Sequence, residues 1–270
     1  MVDDLCGVVL DESKGYLIES RLSDVAEKAG CKSFTELYHK ARYQSDKKLQ
    51  TEIIDAITTQ ETLFFRDSSP FEALQHKVIP ELLDAKAKTV FPKRIRVWSA
   101  ACSTGQEPYS IAMIFHELLP DITTWDINIL ATDISDTAIK VASMGRYAGH
   151  EIQRGMKTHL LAKYFSKEGN FWKVNDELRS LIAFRQMNLL KNFTNSGPFD
   201  IIFCRNVAIY FSSEDKRSLF NRLAEVLIPE GFMFVGSSES LSDAGPQFKP
   251  QHHCRSVFYQ PNKQAVSGLL

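Results

Sequence analysis

Cysteine is sparse and unpatterned in this chain. Five occur in 270 residues, at positions 6, 31, 102, 204 and 254, and no two stand in a C-x-x-C spacing. An odd number without metal-ligand spacing argues against a disulfide framework or a zinc module and points to reduced thiols and a cytoplasmic location. His252-His253-Cys254 has metal-type side chains. Neighbours on a strand face opposite sides, so this run reads as a polar strand edge and no metal is expected. No apolar run is long enough to cross a bilayer, and the start has no signal-like pattern, so direct membrane insertion is not expected. An excess of charge is also missing: 32 basic residues face 33 acidic ones, with pI about 6.7. Nucleic-acid binding usually brings a strong basic excess, so no nucleic-acid partner is expected. Glycine is scarce where many nucleotide-binding chains concentrate it. The turn after the first predicted strand has one glycine, where G-x-G-x-x-G has three, and no Gly-Lys-Ser/Thr follows. A pyrophosphate cradle and a P-loop are both disfavoured.

What is present is an ordinary globular composition, 44% hydrophobic and 24% charged. The first part reads as short amphipathic helices. Ile18, Leu22, Val25 and Ala29 share a helical face that stops at Gly30, and Ser33-Phe34-Thr35-Glu36 is a capping box for the next helix. A third helix spans about Asp46 to Ile57. Ser69-Pro70-Phe71-Glu72 opens a further helix that ends or kinks near Pro80, and 85–93 reads as a loop. From Arg94 strands alternate with helices, which implies a parallel sheet with crossover helices. The predicted strands are 94–98, 127–132, 199–204, 231–236 and 255–260; the predicted helices are 107–118, 135–144, 150–164 and 213–227. Pro229-Glu230-Gly231 is expected to turn just before its strand. Short strand-like pieces at Tyr164-Phe165, Phe171 to Val174 and Leu181 to Phe184 suggest a small antiparallel insert at about 160–186, serving either recognition or decoration. The expected organisation is a helical domain with its junction at 1–68, an α/β domain at 69–262 and a tail at 263–270.

The segment Trp98 to Ser110 carries the most chemistry. A strand, a turn of small residues and a helix start with Pro108 place free backbone amides at a parallel strand end. Glu107 in that turn repels phosphate and suits a ligand with a positive group, such as the sulfonium and amine of S-adenosylmethionine. The alternative is a tight turn with no ligand. Asp133, at the tip of the second strand, stands where such sheets grip ribose hydroxyls. Ser135 and Asp136 are available as helix caps, which leaves Asp133 for a ligand. At the domain junction, Thr58 to Asp67 combines polar residues, three large apolar ones and an Arg-Asp pair. It reads either as a buried hinge with a salt bridge or as a segment projecting Thr62 and Arg66 into a ligand cleft.

These motifs together resemble the bacterial chemotaxis receptor methyltransferases, the CheR type, over nearly the whole chain. Gln60-Glu61-Thr62-Leu63-Phe64-Phe65-Arg66-Asp67 follows their junction motif N-E-T-x-F-F-R-[DE], and 98–110 follows W-S-A-A-C-S-x-G-x-E-P-Y-S. Thr132-Asp133-Ile134, Gly145-Arg146-Tyr147, Asn188-Leu189-Leu190, Cys204 to Phe211 and Gly236 to Ser240 match further signatures in order. The resemblance implies a Rossmann-like methyltransferase sheet, a small all-helical N-terminal domain and a small β insert. It also implies transfer of a methyl group from S-adenosylmethionine to receptor glutamates, leaving S-adenosylhomocysteine. Carried over by position, the cofactor contacts are Gln60, Thr62, Arg66, Glu107 at the methionine end, Asp133 at the ribose, Asn188 and Leu189 at the adenine, and Arg205 and Asn206 near the reacting group. Gln60 replaces the usual Asn, which alters the length of that contact, and Gln106 replaces a common Glu, which removes one charge beside Glu107.

The chemistry is consistent with these residues. Glutamate ionises near pH 4.3, so a receptor carboxylate is already a nucleophile at neutral pH and needs no general base. None of the seven histidines falls in a motif. Opposite charges merge as the methyl moves, so alignment and exclusion of water are what a protein supplies. Arg66 and Tyr210 are the expected catalytic pair, orienting the carboxylate. The partner implied is the cytoplasmic helical region of membrane chemoreceptors, met by the helical bundle through Arg21, Lys40 and Arg42. Tethering to a receptor tail peptide is not expected, because the loop at 166–170 is short and has one glycine. The chain is expected to act as a monomer. Two rival readings are a methyltransferase of another substrate, such as a small acid or RNA, and a cofactor-binding adaptor without turnover.

Overall fold

The computed structural model describes residues 1–10, 15–44, 46–88, 93–119, 121–241, 245–253 and 255–262. Cys254, the tail at 263–270 and residues 89–92 of the loop expected at 85–93 lie outside them, while 85–87 are not loop but the end of a helix. The N-terminal helices form where their apolar faces recur. These are α1 (Val2–Cys6), α2 (Gly15–Lys28), α3 (Phe34–Tyr43) and α4 (Lys47–Ile57). Ser33 caps α3 by accepting from the Glu36 amide at 3.2 Å, and Asp46 caps α4 through Leu49 at 3.0 Å. Leu22, Val25, Leu37, Ala41, Leu49, Ile53 and Ile57 bury one small core. Ile134, just past the second strand, packs against that core, and Thr137 donates to Asp55 at 2.7 Å.

The α/β part opens with α5 (Ser69–Ala73), a π-helical turn at Leu74–Val78, and α6 (Ile79–Ala87). The helix does not end at Pro80. Pro80 sits in the first turn of α6, where its missing N–H costs nothing, and the π turn before it absorbs the irregularity. The sheet then forms from β1 (Arg94–Ala100), α7 (Gln106–Leu118), β2 (Asp126–Asp133), α8 (Asp136–Met144), β6 (Ile182–Gln186), β7 (Phe199–Cys204), α12 (Ser213–Val226), β8 (Leu227–Phe234), β9 (Phe248–His253) and β10 (Ser256–Pro261). Its order is β6-β2-β1-β7-β8-β10-β9. Pairs from β6 to β8 are parallel, with Trp98 opposite both Leu130 and Ile202. The last two strands run antiparallel, and β9 at the edge carries His252 and His253. Alternation divides the strands between two cores: Val97, Ile201 and Phe203 face one, and Trp98, Ile202 and Cys204 the other. β1 has β2 on one side and β7 on the other, so the chain changes direction across the sheet at β1. Open α/β sheets bind ligands at the carboxyl end of such a point.

Several expectations need correction. The piece at Leu181 to Phe184 is not part of the insert; it is β6, pairing in parallel with β2 and packing Ile182 and Phe184 on the main core. The insert is a three-stranded sheet of β3 (Arg146–Ala148), β5 (Phe171–Val174) and β4 (Phe165–Glu168). Short apolar runs signal a strand without saying which sheet it joins. The helix expected over 150–164 is two, α9 (Gly149–Gln153) and α10 (Thr158–Tyr164), separated around Gly155, and a short α11 (Asp176–Arg179) follows the insert. Pro229-Glu230-Gly231 lies inside β8, where the register shifts against β7.

Gly155 has a structural reason. Its φ is +91°, and an added Cβ would lie 2.0 Å from the Phe64 carbonyl oxygen. Phe64 is fully buried, edge-on to Tyr147 at 5.0 Å and Phe165 at 5.7 Å. The junction is thus pinned to the base of the insert. Gly155→Ala should lose roughly 1–3 kcal/mol of stability from backbone strain alone, measured by thermal or denaturant unfolding. An unchanged midpoint would contradict this packing.

Candidate functional site

One cleft opens at the carboxyl ends of β1, β2, β6 and β7 and encloses about 280 Å³. Gln60, Thr62, Arg66, Glu107, Asp133, Asn188, Leu189, Arg205, Asn206 and Tyr210, which are far apart in sequence, all line it. It also has a wall that sequence reasoning missed: Cys6, Val8, Val9, Leu10, Leu17 and Arg21 from the helical region. No motif marked that wall, since its residues other than Arg21 are ordinary apolar ones, and Arg21 was expected to face the receptor instead. Two hydrogen bonds hold it: Asn188 Nδ2 donates to the Leu5 carbonyl at 2.8 Å, and the Val9 amide donates to the Tyr210 carbonyl at 2.9 Å.

The turn from β1 into α7 is strained by design of its sequence. Ala101 and Ser103 have φ of 61° and 51°, and Gly105 has 97°. An L-residue in the left-handed region costs roughly 1–2 kcal/mol, so neighbours must hold the turn in place. A Cβ on Gly105 would lie 2.8 Å from Ala142, so the turn closes onto α8. Tyr147, fully buried, donates to the Thr104 carbonyl at 2.8 Å. The Ser103 amide, freed by the turn, donates to Asp133 Oδ2 at 2.8 Å, and the Ser135 amide donates to Oδ1 at 2.9 Å. Ser135 itself caps α8 through Ala138 at 3.0 Å, as its sequence position suggested. Asp133 is therefore not free, yet each carboxylate oxygen keeps lone-pair capacity towards the cleft. Burial raises its carboxyl above the usual range, partly offset by the backbone amides of Ser135, Ser103 and Ile134.

Glu107 is held by two donors. Ser99 Oγ donates to Oε1 at 2.8 Å and Arg205 Nη1 to Oε2 at 3.0 Å. Arg205 Nη2 also donates to Asp67 Oδ2 at 2.8 Å and to the Arg66 carbonyl at 3.0 Å. The Arg205 side chain is 1% exposed. The Arg-Asp pair in the junction is thus not a local salt bridge. Asp67 pairs with Arg205, while Arg66 donates to the Glu61 carbonyl at 2.8 Å and, among the described residues, is in no ion pair. Phe65 and Asp67, either side of Arg66, have φ of 52° and 63°. Gln60 reaches across the turn: Ser103 Oγ donates to its Oε1 at 2.9 Å, and its Nε2 donates to Thr58 at 3.0 Å. Tyr210 is 37% exposed at the mouth, beside Ile209.

Two acids, Asp67 and Glu107, converge on the buried Arg205, while Asp133 is held by backbone amides across the cleft. The charges lining the cleft balance, Glu61, Glu107 and Asp133 against Arg21, Arg66 and Arg205, and the Glu107–Arg205 pair presents both charges to a zwitterionic amino-acid end. The family domain described as CheR methyltransferase, SAM binding domain, matches residues 60–257, and the CheR methyltransferase, all-alpha domain, matches residues 1–58. A chemotaxis protein methyltransferase of Pseudomonas putida is 39% identical over 264 residues, covering 96% of this chain and 94% of that protein. One from Pseudomonas aeruginosa has the same identity and coverage, and one from Borreliella burgdorferi is 36% identical, covering 87% and 83%. The chain belongs to the CheR methyltransferase family. It is a methyltransferase of the chemotaxis class, with S-adenosylmethionine as its cofactor.

Arg205 and Arg66 should respond differently to truncation. Arg205→Ala leaves two acids without their buried partner, a loss of about 3–5 kcal/mol. Arg66→Ala removes one partly exposed contact and should cost no more than about 1 kcal/mol. Thermal unfolding of both variants checks this; equal losses would contradict the assignment of the ion pair to Arg205.

Proposed function

We propose that the protein methylates glutamate side chains in the cytoplasmic helical region of membrane chemoreceptors, as a glutamate O-methyltransferase acting in the cytoplasm. The observation that supports this most is the convergence of Glu107, Asp133, Arg205, Arg66 and Tyr210 on a single cleft. Glu107 and Arg205 would hold the amino and carboxylate groups at the methionine end. Asp133 would accept the ribose hydroxyls, and Asn188 and Leu189 would flank the adenine. Gln60, Thr62 and Asn206 complete the cofactor walls. The bound cofactor supplies a methyl group on an electrophilic sulfonium.

The chain's own residues supply placement. Arg66 and Tyr210 at the mouth are suited to orient an incoming carboxylate by hydrogen bonds. A carboxylate needs no base, and too tight an ion pair with Arg66 would quench it as a nucleophile. Arg66 is suited to positioning because, among the described residues, its guanidinium is committed to a backbone carbonyl and to no acid. The apolar wall from Val8 to Leu10 excludes water, which would otherwise stabilise the separated charges.

On this reading the chain divides into a receptor-reading unit at 1–68 and a transfer unit at 69–262. The three cations expected to meet the receptor are already engaged. Arg21 donates to the Ile57 carbonyl at 2.6 Å, Lys40 to the Ala29 carbonyl at 2.8 Å and Arg42 to Asp4 at 2.9 Å. Of these, Arg42 is the half-exposed one, so it is the best placed to meet an acidic helix. The hairpin between β4 and β5 turns tightly through Gly169-Asn170, and Trp172 packs onto the main core. Both features support methylation without tail tethering.

The test uses methyl-labelled cofactor and receptor-bearing membranes. Base-labile label should enter the receptor, equally with and without its tail, and Arg66→Ala should abolish most of it while melting near wild type. Label in RNA or small acids instead, or none at all, would favour the rival readings. Asp133→Ala should weaken S-adenosylhomocysteine binding by roughly 1.5–3 kcal/mol, the range for hydrogen bonds to charged groups. Only the ionised carboxyl accepts two ribose hydroxyls, and burial raises the Asp133 pKa. Affinity should therefore fall on acidification at a higher pH than for an ordinary carboxylate, and calorimetry should find no such fall in the Asp133→Ala variant. Matching pH profiles would remove Asp133 from the ribose role.

A further inference from the structure

We propose that Glu239 is a positioning residue for methyl transfer, acting through the loop Arg205 to Tyr210. Glu239 follows β8 and does not line the cleft. Its Oε2 accepts from the amides of Gly236 and Asn206, each at 2.7 Å. Its Oε1 accepts from the amides of Val207 at 3.2 Å and Ile209 at 3.3 Å. One carboxylate thus satisfies four backbone donors from the loops that leave β7 and β8. Three of them belong to the stretch that carries Arg205, Asn206 and Tyr210.

At its two ends that stretch is held by the Arg205 guanidinium and by the Val9 amide, which donates to the Tyr210 carbonyl at 2.9 Å; the backbone between them has fewer supports. Its own backbone bonds make one short turn, Tyr210 to Val207 at 3.2 Å and Phe211 to Ala208 at 3.1 Å. Asn206 has φ of 57°, in the left-handed region that asparagine tolerates at a modest cost. A charged acceptor is a stronger anchor for backbone amides than a neutral one. Glu239 therefore sets where the Arg205 guanidinium leaves β7 and where the Tyr210 ring stands at the mouth. Misplacement of about 1 Å at a reacting centre can cost about a hundredfold in rate, so this anchor bears on turnover without touching a ligand. The turnover part rests on the methyl-transfer reading above; the binding and exchange parts do not.

The experiment is Glu239→Gln in the full chain. The amide keeps the shape but turns an N–H pair towards donors. Amide hydrogen exchange at Asn206, Val207 and Ile209 should quicken at least tenfold, about 1.4 kcal/mol of lost protection, while Ile201, Ile202 and Met233 in β7 and β8 keep theirs. Calorimetric affinity for S-adenosylhomocysteine should fall roughly tenfold, as for one weakened charged hydrogen bond. With receptor membranes, kcat should fall roughly tenfold to a hundredfold with KM for receptor little changed. Wild-type exchange and affinity in the variant would overturn the proposal. So would a variant that does not fold, or one whose core strands lose protection as much as the loop, since either makes Glu239 a residue of the fold alone. If the wild type labels no receptor, the methyl-transfer reading fails, while exchange and affinity still decide whether Glu239 sets the loop.

Discussion

The buried guanidinium of Arg205 is the constraint on which the site depends. It joins three segments distant in sequence: the junction through Asp67 and the Arg66 carbonyl, the start of α7 through Glu107, and the end of β7 from which it projects. Burying such a charge is costly unless its hydrogen bonds are met, so the three segments are held to one relative placement. Phe71 lies under the guanidinium at 5.6 Å, which ties α5 to the same centre. Two acids share one cation there, and Asp133 adds a third negative group nearby. Carboxylates of Glu107 and Asp133 and the guanidinium of Arg205 thus face one cleft, so a ligand there meets groups of both signs.

The cleft is not a property of the sheet alone. The strand ends supply the polar groups, while the N-terminal segment and α2 supply the apolar wall. Asn188 and Tyr210 both reach that wall through backbone contacts with Leu5 and Val9. A substrate approaching Tyr210 therefore meets the helical region and the transfer site together. On the function proposed above, this geometry would let one surface recognise a receptor helix and align its carboxylate.

Much of this was legible from residues. Glu107 and Asp133 followed from the chemistry of strand ends, and the helical bundle followed from faces such as Leu49, Ile53 and Ile57. Three kinds of information were not legible. Long-range pairing was one: Asp67 sits beside Arg66 in sequence but binds Arg205, 138 residues away. Sheet membership was another, since the apolar run at 181–184 does not say whether β6 pairs with β2 or with the insert. The third was backbone service. Glu239 and Gly155 act on amides and a carbonyl of distant loops, and no side-chain pattern announces such a role.

The most direct measurement is a crystal structure of the protein with S-adenosylhomocysteine. The account predicts the ribose on Asp133, the amino-acid end between Glu107 and Arg205, and the sulfur facing the mouth between Arg66 and Tyr210. A ligand bound elsewhere, or one that displaces Arg205 from Glu107 and Asp67, would contradict it.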